Sequence, residues 1–365
     1  MNLYFKSILT LLLFCYTING YAQSKTENLI VVTLDGFRWQ EVFRGIDSTL
    51  TETKEYNSNI KELYKTFGAS TPQERRQLLM PFLWKTIAQK GQIWGNRQLG
   101  NYVNVANPHW FSYPGYNEIF TGYPDTTINS NDKILNPHEN VLEFLNRQKG
   151  FEDKVAAFTS WDVFPFIFNE PRANFTVNGG FEDVKGKINE AQRALNEMQW
   201  FQTPFLGDVR FDFSTYQIAK EYIRQNKTRV LYLGFDETDD LAHEGHYNLY
   251  AQAAHKIDTM LADLWRFVQM TPQYKDKTTL LITCDHGRGD DGKRGWRDHG
   301  TGTKDSDQIW FAVIGPDTPA KGEISKAGQW HQKQFAATIA QFLGFEFKPQ
   351  HPTGEPIKEI LQQKN

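Results

Sequence analysis

The sequence predicts an α/β domain built on a mainly parallel β-sheet. Four apolar, β-branched runs have the composition of strands buried on both faces, at 29–34, 229–235, 278–284 and 309–314, and 154–159 is a weaker fifth. Segments with helical patterning lie between them, at 74–90, 141–148, 214–226, 248–270 and 334–343. Strands that alternate with helices are typical of parallel sheets, because a connection between parallel strands has to cross the sheet.

The composition is that of a globular protein with one large core or two modest ones. The chain has 365 residues, 39% of them hydrophobic, and a formal net charge of -3. No run of like charge indicates a nucleic-acid track. Because we find no internal repeat and no low-complexity linker, we expect a single domain over 23–365. Segment 162–203 is rich in Phe, Asn and Gly and would form an elaborated loop region or a small cap.

The N-terminus has the pattern of a secretory signal peptide over 1–22. Lys6 precedes an apolar stretch at 7–17, and Gly20-Tyr21-Ala22 offers small residues at the cleavage positions. The stretch is short for a membrane span, so we expect a periplasmic or secreted protein whose mature chain has no span. Bulky residues before Cys15 argue against a lipid anchor. Cys284 then remains the only thiol, which we interpret as a buried small residue without a disulfide partner.

Candidate metal ligands follow the predicted strands. Asp35 comes directly after the first strand, and Asp285-His286-Gly287 follows the strand at 278–284. Asp239 and His243 are four residues apart, which places them on one face if the segment is helical. His299 lies 13 residues after His286. Each signal is weak alone: Asp35 is more typical of a turn or cap, a lone histidine is more often structural, and Glu244 and His246 are rival ligands.

Ser112 is the candidate nucleophile. It lies in Trp110-Phe111-Ser112-Tyr113-Pro114, where it can cap a helix that begins at Tyr113 with proline in its first turn. The capping interpretation does not compete with a catalytic one, because a helix N-terminus offers amide groups to an anionic substrate.

Together these residues predict a centre with two metal ions. Three carboxylates and three imidazoles suit two divalent cations of the zinc class. A hydroxyl held between such cations is a nucleophile for a phosphoryl or related centre. The order along the chain is Asp35, Ser112, Asp239, His243, Asp285, His286 and His299.

On these motifs the chain resembles the alkaline phosphatase superfamily, and most closely its nucleotide pyrophosphatase/phosphodiesterase-type branch. The resemblance runs from Leu29 to about Phe345. It is carried by the following motifs: Thr33-Leu34-Asp35-Gly36-Phe37, Ser112-Tyr113-Pro114 with Thr121-Gly122-Tyr123-Pro124, Asp239 with His243, Asp285-His286-Gly287, and His299-Gly300.

The resemblance implies a three-layer α/β/α sandwich and two divalent metal ions per chain, with zinc as the expected metal. Asp239, His243 and His299 would hold one cation, and Asp35, Asp285, His286 and the Ser112 oxygen would hold the other. Ser112 would attack the phosphorus of a small-molecule phosphate ester, and water would then cleave the phosphoseryl intermediate. No feature of the sequence indicates an oligomeric state.

Several departures from the family pattern leave alternatives open. The phosphodiesterase branch usually has Thr at the position of Ser112, and Asn-His at the position of Gly115-Tyr116. Sulfatases have arginine where this chain has Tyr116, which argues against a sulfatase. Cofactor-independent phosphoglycerate mutases carry a large inserted domain for which the chain is too short. We place a phosphodiesterase slightly ahead of a phosphomonoesterase, and then a sulfatase, a phosphonate hydrolase or a non-catalytic metal-binding protein.

The substrate contacts are less well defined by the sequence. Candidates to meet the phosphate oxygens and the leaving group are Asn107, Asn117, Asn131, Lys133, Lys293 and Arg294, although each is more typical of a surface position. Aromatic residues that could stack on a leaving group are Trp110, Phe111, Trp161, Phe164 and Phe166, for which we favour core positions.

Overall fold

A central eight-stranded sheet organises the chain in a computed structural model, which describes residues 25–203, 207, 209–290 and 294–361. The predicted signal peptide and Lys293 lie outside the described residues. The strands are β1 Asn28–Leu34, β2 Gln92–Trp94, β3 Asn101–Asn104, β4 Val155–Thr159, β5 Thr176–Gly179, β6 Val230–Phe235, β7 Thr278–Thr283, β8 Gln308–Ile309, β9 Phe311–Ile314, β10 Gly322–Glu323 and β11 Gly328–His331.

Helices connect most of these strands. They are α1 Trp39–Arg44, α2 Ser48–Glu52, α3 Ile60–Phe67, α4 Pro72–Leu79, α5 Ala88–Lys90, α6 Ser112–Thr121, α7 Val141–Asn146, α8 Phe164–Ile167, α9 Glu170–Ala173, α10 Glu190–Gln199, α11 Asp212–Asn226, α12 Glu237–His243, α13 Tyr247–Met270 and α14 Phe335–Phe342. A π-helical turn spans Leu83–Ile87, and short 3₁₀ turns lie at Arg97–Leu99, Gly295–Arg297, Gln332–Gln334 and Lys358–Ile360.

The strand order places the site. The large sheet runs β10-β2-β9-β7-β1-β6-β4-β5, and β9 is antiparallel to both of its neighbours while the other pairings are parallel. All residues of β1, β6 and β7 are buried, as expected for apolar strands covered on both faces. Since these three strands are adjacent and parallel, their carboxyl ends meet at one edge, where open α/β sheets bind ligands.

Helices cover the sheet and complete the predicted α/β/α architecture. Helix α11 packs on β4 and β6 and also contacts α13. Helices α6, α7 and α14 contact one another, and α7 reaches β4. The α/β fold class with a mainly parallel sheet is therefore confirmed.

Two predicted elements are interrupted. The run at 309–314 forms two strands, because the chain crosses from β8 in a second, three-stranded sheet to β9 in the large one. Buried Trp310 marks the crossing, and its indole Nε1 donates to the Phe37 carbonyl at 2.9 Å. The helix predicted over 74–90 ends at Leu79, and the chain continues as the π-helical turn and α5. At the start of that turn, the amides of Phe82 and Leu83 donate hydrogen bonds to the Asp258 carboxylate.

The segment 162–203 contains α8, α9, β5 and α10. Its strand β5 pairs with β4 and forms one edge of the large sheet. Cys284 is fully buried with a free thiol, as predicted. Within the described residues, none of the helices has the length and apolar character that crossing a bilayer requires.

Candidate metal centre

Three side chains form a fully buried group at the carboxyl ends of β1 and β7. The buried group consists of Asp35, Asp285 and His286, each at most 2% exposed. His286 Nε2 lies 3.3 Å from Asp35 Oδ1 and 3.4 Å from Asp285 Oδ2. Its other ring nitrogen, Nδ1, lies 2.9 Å from the Gly287 carbonyl, which orients the imidazole. The Gly36 amide donates to Asp285 Oδ1 at 3.1 Å.

A second, open group consists of Asp239, His243 and His299. Asp239 and His243 lie one turn apart on α12, and His299 comes from the loop after β7. His243 Nε2 lies 3.1 Å from Asp239 Oδ2 and 2.9 Å from His299 Nε2. The His243 side chain is 40% exposed, so this group reaches solvent. The structure thus divides the six predicted protein ligands into the two sets that the family resemblance implies.

The two groups are neighbours. His286 Nε2 of the buried group lies 3.8 Å from Asp239 Oδ1 of the open group. The rings of His286 and His299 have centroids 4.1 Å apart. Within each group the candidate donor atoms lie within 4.8 Å of one another. Among the described residues, neither Glu244 nor His246 joins either group.

The unpaired atoms of these side chains fit bound cations. Asp35 Oδ1, Asp285 Oδ2 and His299 Nδ1 are buried without a hydrogen-bond partner. Burying such polar atoms unpaired is costly unless they bind an ion. The Nε2 atoms of His243 and His299 face each other at 2.9 Å. Carboxylate and imidazole donors in this combination suit divalent cations of the zinc class.

Electrostatics also favour cations at the buried group. Burial, reinforced by neighbouring carboxylates, raises the pKa of Asp35 and of Asp285. Burial opposes protonation of His286, but Asp285 and Asp35 outweigh it and raise its pKa to about 9. Burial and the adjacent His286 lower the pKa of His299 to about 2. His299 is therefore neutral, as a metal-binding imidazole has to be.

Ser112 lies beside the buried group, next to His286. It is the first residue of α6, it is buried, and its Oγ lies 3.4 Å from His286 Nε2. The preceding Trp110 has a φ of 54°, and its carbonyl accepts from Gly300 next to His299. Fewer helix amides are free than the sequence suggests, because the Tyr113 amide donates to Asn131 Oδ1 at 2.9 Å.

Tyr116 is one residue whose contribution the sequence analysis missed. Its buried hydroxyl donates to Asp35 Oδ2 at 2.8 Å, which leaves Asp35 Oδ1 as the unpaired oxygen. The preceding Gly115 allows the close approach, because a Cβ there would lie 2.5 Å from the Asp285 carbonyl oxygen. The Gly115-Tyr116 pair that departs from the phosphodiesterase pattern thus packs α6 directly against the buried group.

Two arginines were also missed. Arg288 is buried, and its guanidinium contacts the Asp239 side chain. Arg297 donates to the His243 carbonyl through Nε at 3.1 Å and Nη2 at 2.6 Å. The sequence offered one indication that Arg288 belongs to the site, namely its place directly after Asp285-His286-Gly287. Our interpretation of that motif gave no role to an arginine.

A cavity of about 560 Å³ borders the open group. Its lining is rich in carboxylates and includes an aromatic side chain: Asn131, Asp132, Lys133, Trp161, Asp162, Val163, Gly207, Val209, Asp240, His243 and Glu244. Lys133, the one lysine among the described lining residues, is paired, since its Nζ lies 2.5 Å from Asp162 Oδ2. The cavity is large enough for a leaving group of small-molecule size.

The other candidate substrate contacts lie elsewhere or are committed to the fold. Asn107 donates to Glu118 and Asn117 to the Tyr123 carbonyl. Phe164 is buried, as predicted for a core residue, whereas Trp110, Phe111 and Phe166 are half-buried. Arg294 is exposed at the start of the turn Gly295–Arg297.

Comparisons with known proteins identify the fold on which these groups lie. The sequence profile of the Metalloenzyme superfamily matches residues 206–347, which carry five of the seven predicted site residues. A comparison with curated protein sequences found no match. The structure is similar to that of alkaline phosphatase PafA, with 12% identity and a TM-score of 0.60 over 94% of this chain and 100% of that one. The chain has the fold of the alkaline phosphatase superfamily.

Other members of this superfamily fold are similar to a comparable degree. Murine ectonucleotide pyrophosphatase/phosphodiesterase 5, solved as an inactive variant with AMP, has 11% identity and a TM-score of 0.53, covering 92% of this chain and 100% of that one. The phosphonate monoester hydrolase of Agrobacterium radiobacter has 12% identity and a TM-score of 0.54, covering 92% and 77%. The fold predicted from the motifs is therefore confirmed.

Proposed function

We propose that the protein is a two-metal hydrolase of phosphate esters with Ser112 as its nucleophile. One observation carries the proposal: two adjacent groups of three metal-binding side chains lie beside a buried serine hydroxyl at a helix N-terminus. Asp35, Asp285 and His286 would hold one cation together with the Ser112 oxygen, and Asp239, His243 and His299 would hold the other. The zinc class is favoured by the donor set.

The residues divide the chemistry between them. Cations bound at the two groups would promote ionisation of the Ser112 hydroxyl and stabilise the leaving oxygen. The Ser112 oxygen forms a bond to phosphorus while the ester P–O bond breaks, and the alcohol leaves with a proton from water. Water then attacks the phosphoseryl ester, which releases phosphate or its monoester and restores the serine hydroxyl. Tyr116 holds Asp35 in place throughout through its 2.8 Å hydrogen bond.

Charge around the site favours a phosphodiester over a monoester. A diester carries one negative charge near neutral pH and a monoester carries close to two. Among the described cavity residues, Lys133 is paired with Asp162, while Asp132 and Glu244 add further negative charge. Arg288 is likewise committed to Asp239. These surroundings disfavour the more highly charged substrate, which supports phosphodiesterase activity on a small molecule whose leaving group occupies the cavity.

The leader pattern supports export. We propose that residues 1–22 are removed after Ala22 and that the mature chain acts in the periplasm or outside the cell as one catalytic domain over 23–365. N-terminal sequencing of protein from the exported fraction would start at Gln23. A protein that keeps Met1 and stays in the cytoplasm would contradict this part of the proposal.

Steady-state hydrolysis of three p-nitrophenyl substrates tests the function. The substrates are the phosphate monoester, a phosphate diester and the sulfate, each assayed with zinc-loaded protein of measured metal content. Ser112→Ala should abolish turnover and keep both metals, while Ser112→Thr should retain activity because threonine keeps the hydroxyl. Ser306→Ala is the matched control, since the hydroxyl of this buried serine donates to the Thr303 carbonyl and Ser306 belongs to neither group.

The outcomes separate the candidate functions. Two metals per chain with diester preference support the proposal as stated. Monoester or sulfate preference would assign the same site to a phosphatase or a sulfatase. Fewer than two metals per chain in protein purified without chelator would overturn the two-metal site. Metal binding without Ser112-dependent turnover would indicate a binding protein.

A further inference from the structure

Arg288 is buried against Asp239 and has no role in the chemistry proposed above. Its side chain is fully buried at the end of the segment that carries Asp285 and His286. Nη2 donates to the Asp239 carbonyl oxygen at 3.0 Å and also to the carboxylate oxygen Oδ1 of the same residue. Nη1 donates to the Arg297 carbonyl at 2.6 Å. One guanidinium therefore contacts both chain segments that supply the open group.

The contact with Arg297 extends this bridge. Arg297 lies two residues before His299, and its own guanidinium holds the His243 carbonyl. Arg288 thus contacts Asp239 directly and reaches His243 and His299 through one intermediate residue. The buried group has no comparable arginine contact within the described residues, since Gly36, Tyr116 and the ends of β1 and β7 position its members.

The contact with Arg288 also orients the Asp239 carboxylate. Oδ1 contacts Arg288 and lies 3.7 Å from His299 Nε2, whereas Oδ2 lies 3.1 Å from His243 Nε2. A Cβ on Gly36 would lie 2.6 Å from Oδ1 and 2.9 Å from Arg288 Nε, so the contact leaves no room for a larger residue at position 36. Arg288 thereby holds the Asp239 carboxylate toward the two histidines of the open group. A planar guanidinium with several fixed donors can make these contacts together, which a lysine ammonium cannot match.

We propose that Arg288 is a positioning residue for the open group, which orients the Asp239 carboxylate and fixes the segment that carries His299. This inference rests on the proposed function, because it requires that the open group binds a cation. Mutating a residue that orients a metal ligand without touching the metal typically lowers the metal affinity by about 10- to 100-fold. Loss of Arg288 should therefore weaken one of the two zinc sites and leave the other intact.

Zinc titration of full-length variants tests the proposal. Bound zinc is counted by elemental analysis, and the affinity of each equivalent is measured by competition with a chromophoric chelator. Arg288→Met should keep one tight zinc and bind the second about 10- to 100-fold more weakly. Arg210→Met is the matched control, because Arg210 is equally buried and bonds Asn178, Thr215 and the Thr159 carbonyl, with no contact to either group.

Arg288→Lys covers the case in which the methionine variant does not fold. It keeps the positive charge beside Asp239 but loses the planar fork, so the second zinc should remain weakened. Wild-type affinity for both zinc ions in either variant would overturn the proposal, and so would equal weakening of both sites. Fewer than two zinc ions in the wild-type protein would instead overturn the proposed function itself, so the two failures are distinguishable.

Discussion

The buried group and the open group are built differently although they lie side by side. The buried group projects from the ends of adjacent parallel strands, so the sheet register itself brings Asp35 and Asp285 together. The open group combines a helix with a loop, and its members are joined through the side chains of Arg288 and Arg297. A centre on strand ends is positioned by backbone hydrogen bonds, whereas one on loops needs side-chain bridges. The open group is also the one that borders solvent and the cavity.

Removing one predicted ligand from either group should have the largest effect on turnover, and the sizes of the two losses show which group contributes more to catalysis. Asp285→Asn is expected to lower diester turnover by about 10³-fold, because a lost cation removes several kcal/mol of transition-state stabilisation. His243→Gln should cost less, about 10²-fold at saturating zinc, since water can replace an exposed ligand. Turnover is measured over a zinc titration. Asp298→Asn, exposed beside His299, serves as the control, and equal losses in both variants would remove the distinction.

Gly36→Ala tests how tightly the two groups are packed together. Gly36 has a φ of 56°, and its Cβ would meet Asp239 Oδ1 at 2.6 Å. We expect the free energy of unfolding to fall by about 2–4 kcal/mol, the sum of backbone strain and crowding. Gly186→Ala separates the two causes, because Gly186 has a φ of 88° with nothing within 4 Å of the added Cβ. If urea denaturation showed equal losses of unfolding free energy in the two variants, the structure would have relaxed to relieve the crowding at Gly36.

A buried carboxylate that belongs to neither group, Asp258, provides the reference for burial without metal. Burial raises the pKa of Asp258 to about 7 from an ordinary 3.8, although amides of Phe82 and Leu83 oppose the shift. The folded state therefore binds this proton more tightly than the unfolded state. Its stabilising effect is complete below about pH 3.8 and is lost as the pH rises through 7.

The consequence is a measurable slope in stability. Between these pH values the free energy of unfolding should fall by up to about 1.4 kcal/mol per pH unit from this group. Urea denaturation of zinc-free protein at pH 5 to 8 should show a shallower slope in Asp258→Asn than in the wild type. Parallel slopes would mean that Asp258 stays ionised on folding.

The smallest expected effect concerns the cavity beside the open group. Asp162→Asn should release Lys133 and raise the ratio of monoester to diester hydrolysis by roughly fivefold, about 1 kcal/mol for one charge in partly exposed surroundings. Asp132→Asn is the control, because it also removes one negative charge from the cavity but leaves the ion pair of Lys133 with Asp162 intact. An identical change in the two variants would mean that only the net charge matters. No change in either would place specificity outside this cavity.

Much of the fold could be predicted from the sequence, and so could the meeting of the candidate side chains at one edge of the sheet. The runs that form β1, β6 and β7 are apolar along their whole length, because both of their faces are covered, and such runs are visible without any alignment. Polar residues directly after these runs had to lie at one sheet edge. The division into two groups came from the family resemblance and agrees with the observed distances.

Only the tertiary structure decided how those ligands are held. Arg288 and Tyr116 contact site residues 49 and 81 positions away in the chain, and such pairings leave no periodic signal. The crossing at Trp310 between two sheets depends on partners in β2, β3 and β7. Local sequence determines which residues can be buried or can bind a cation. How the Asp239 carboxylate is oriented is decided by contacts that exist only after the loops have packed.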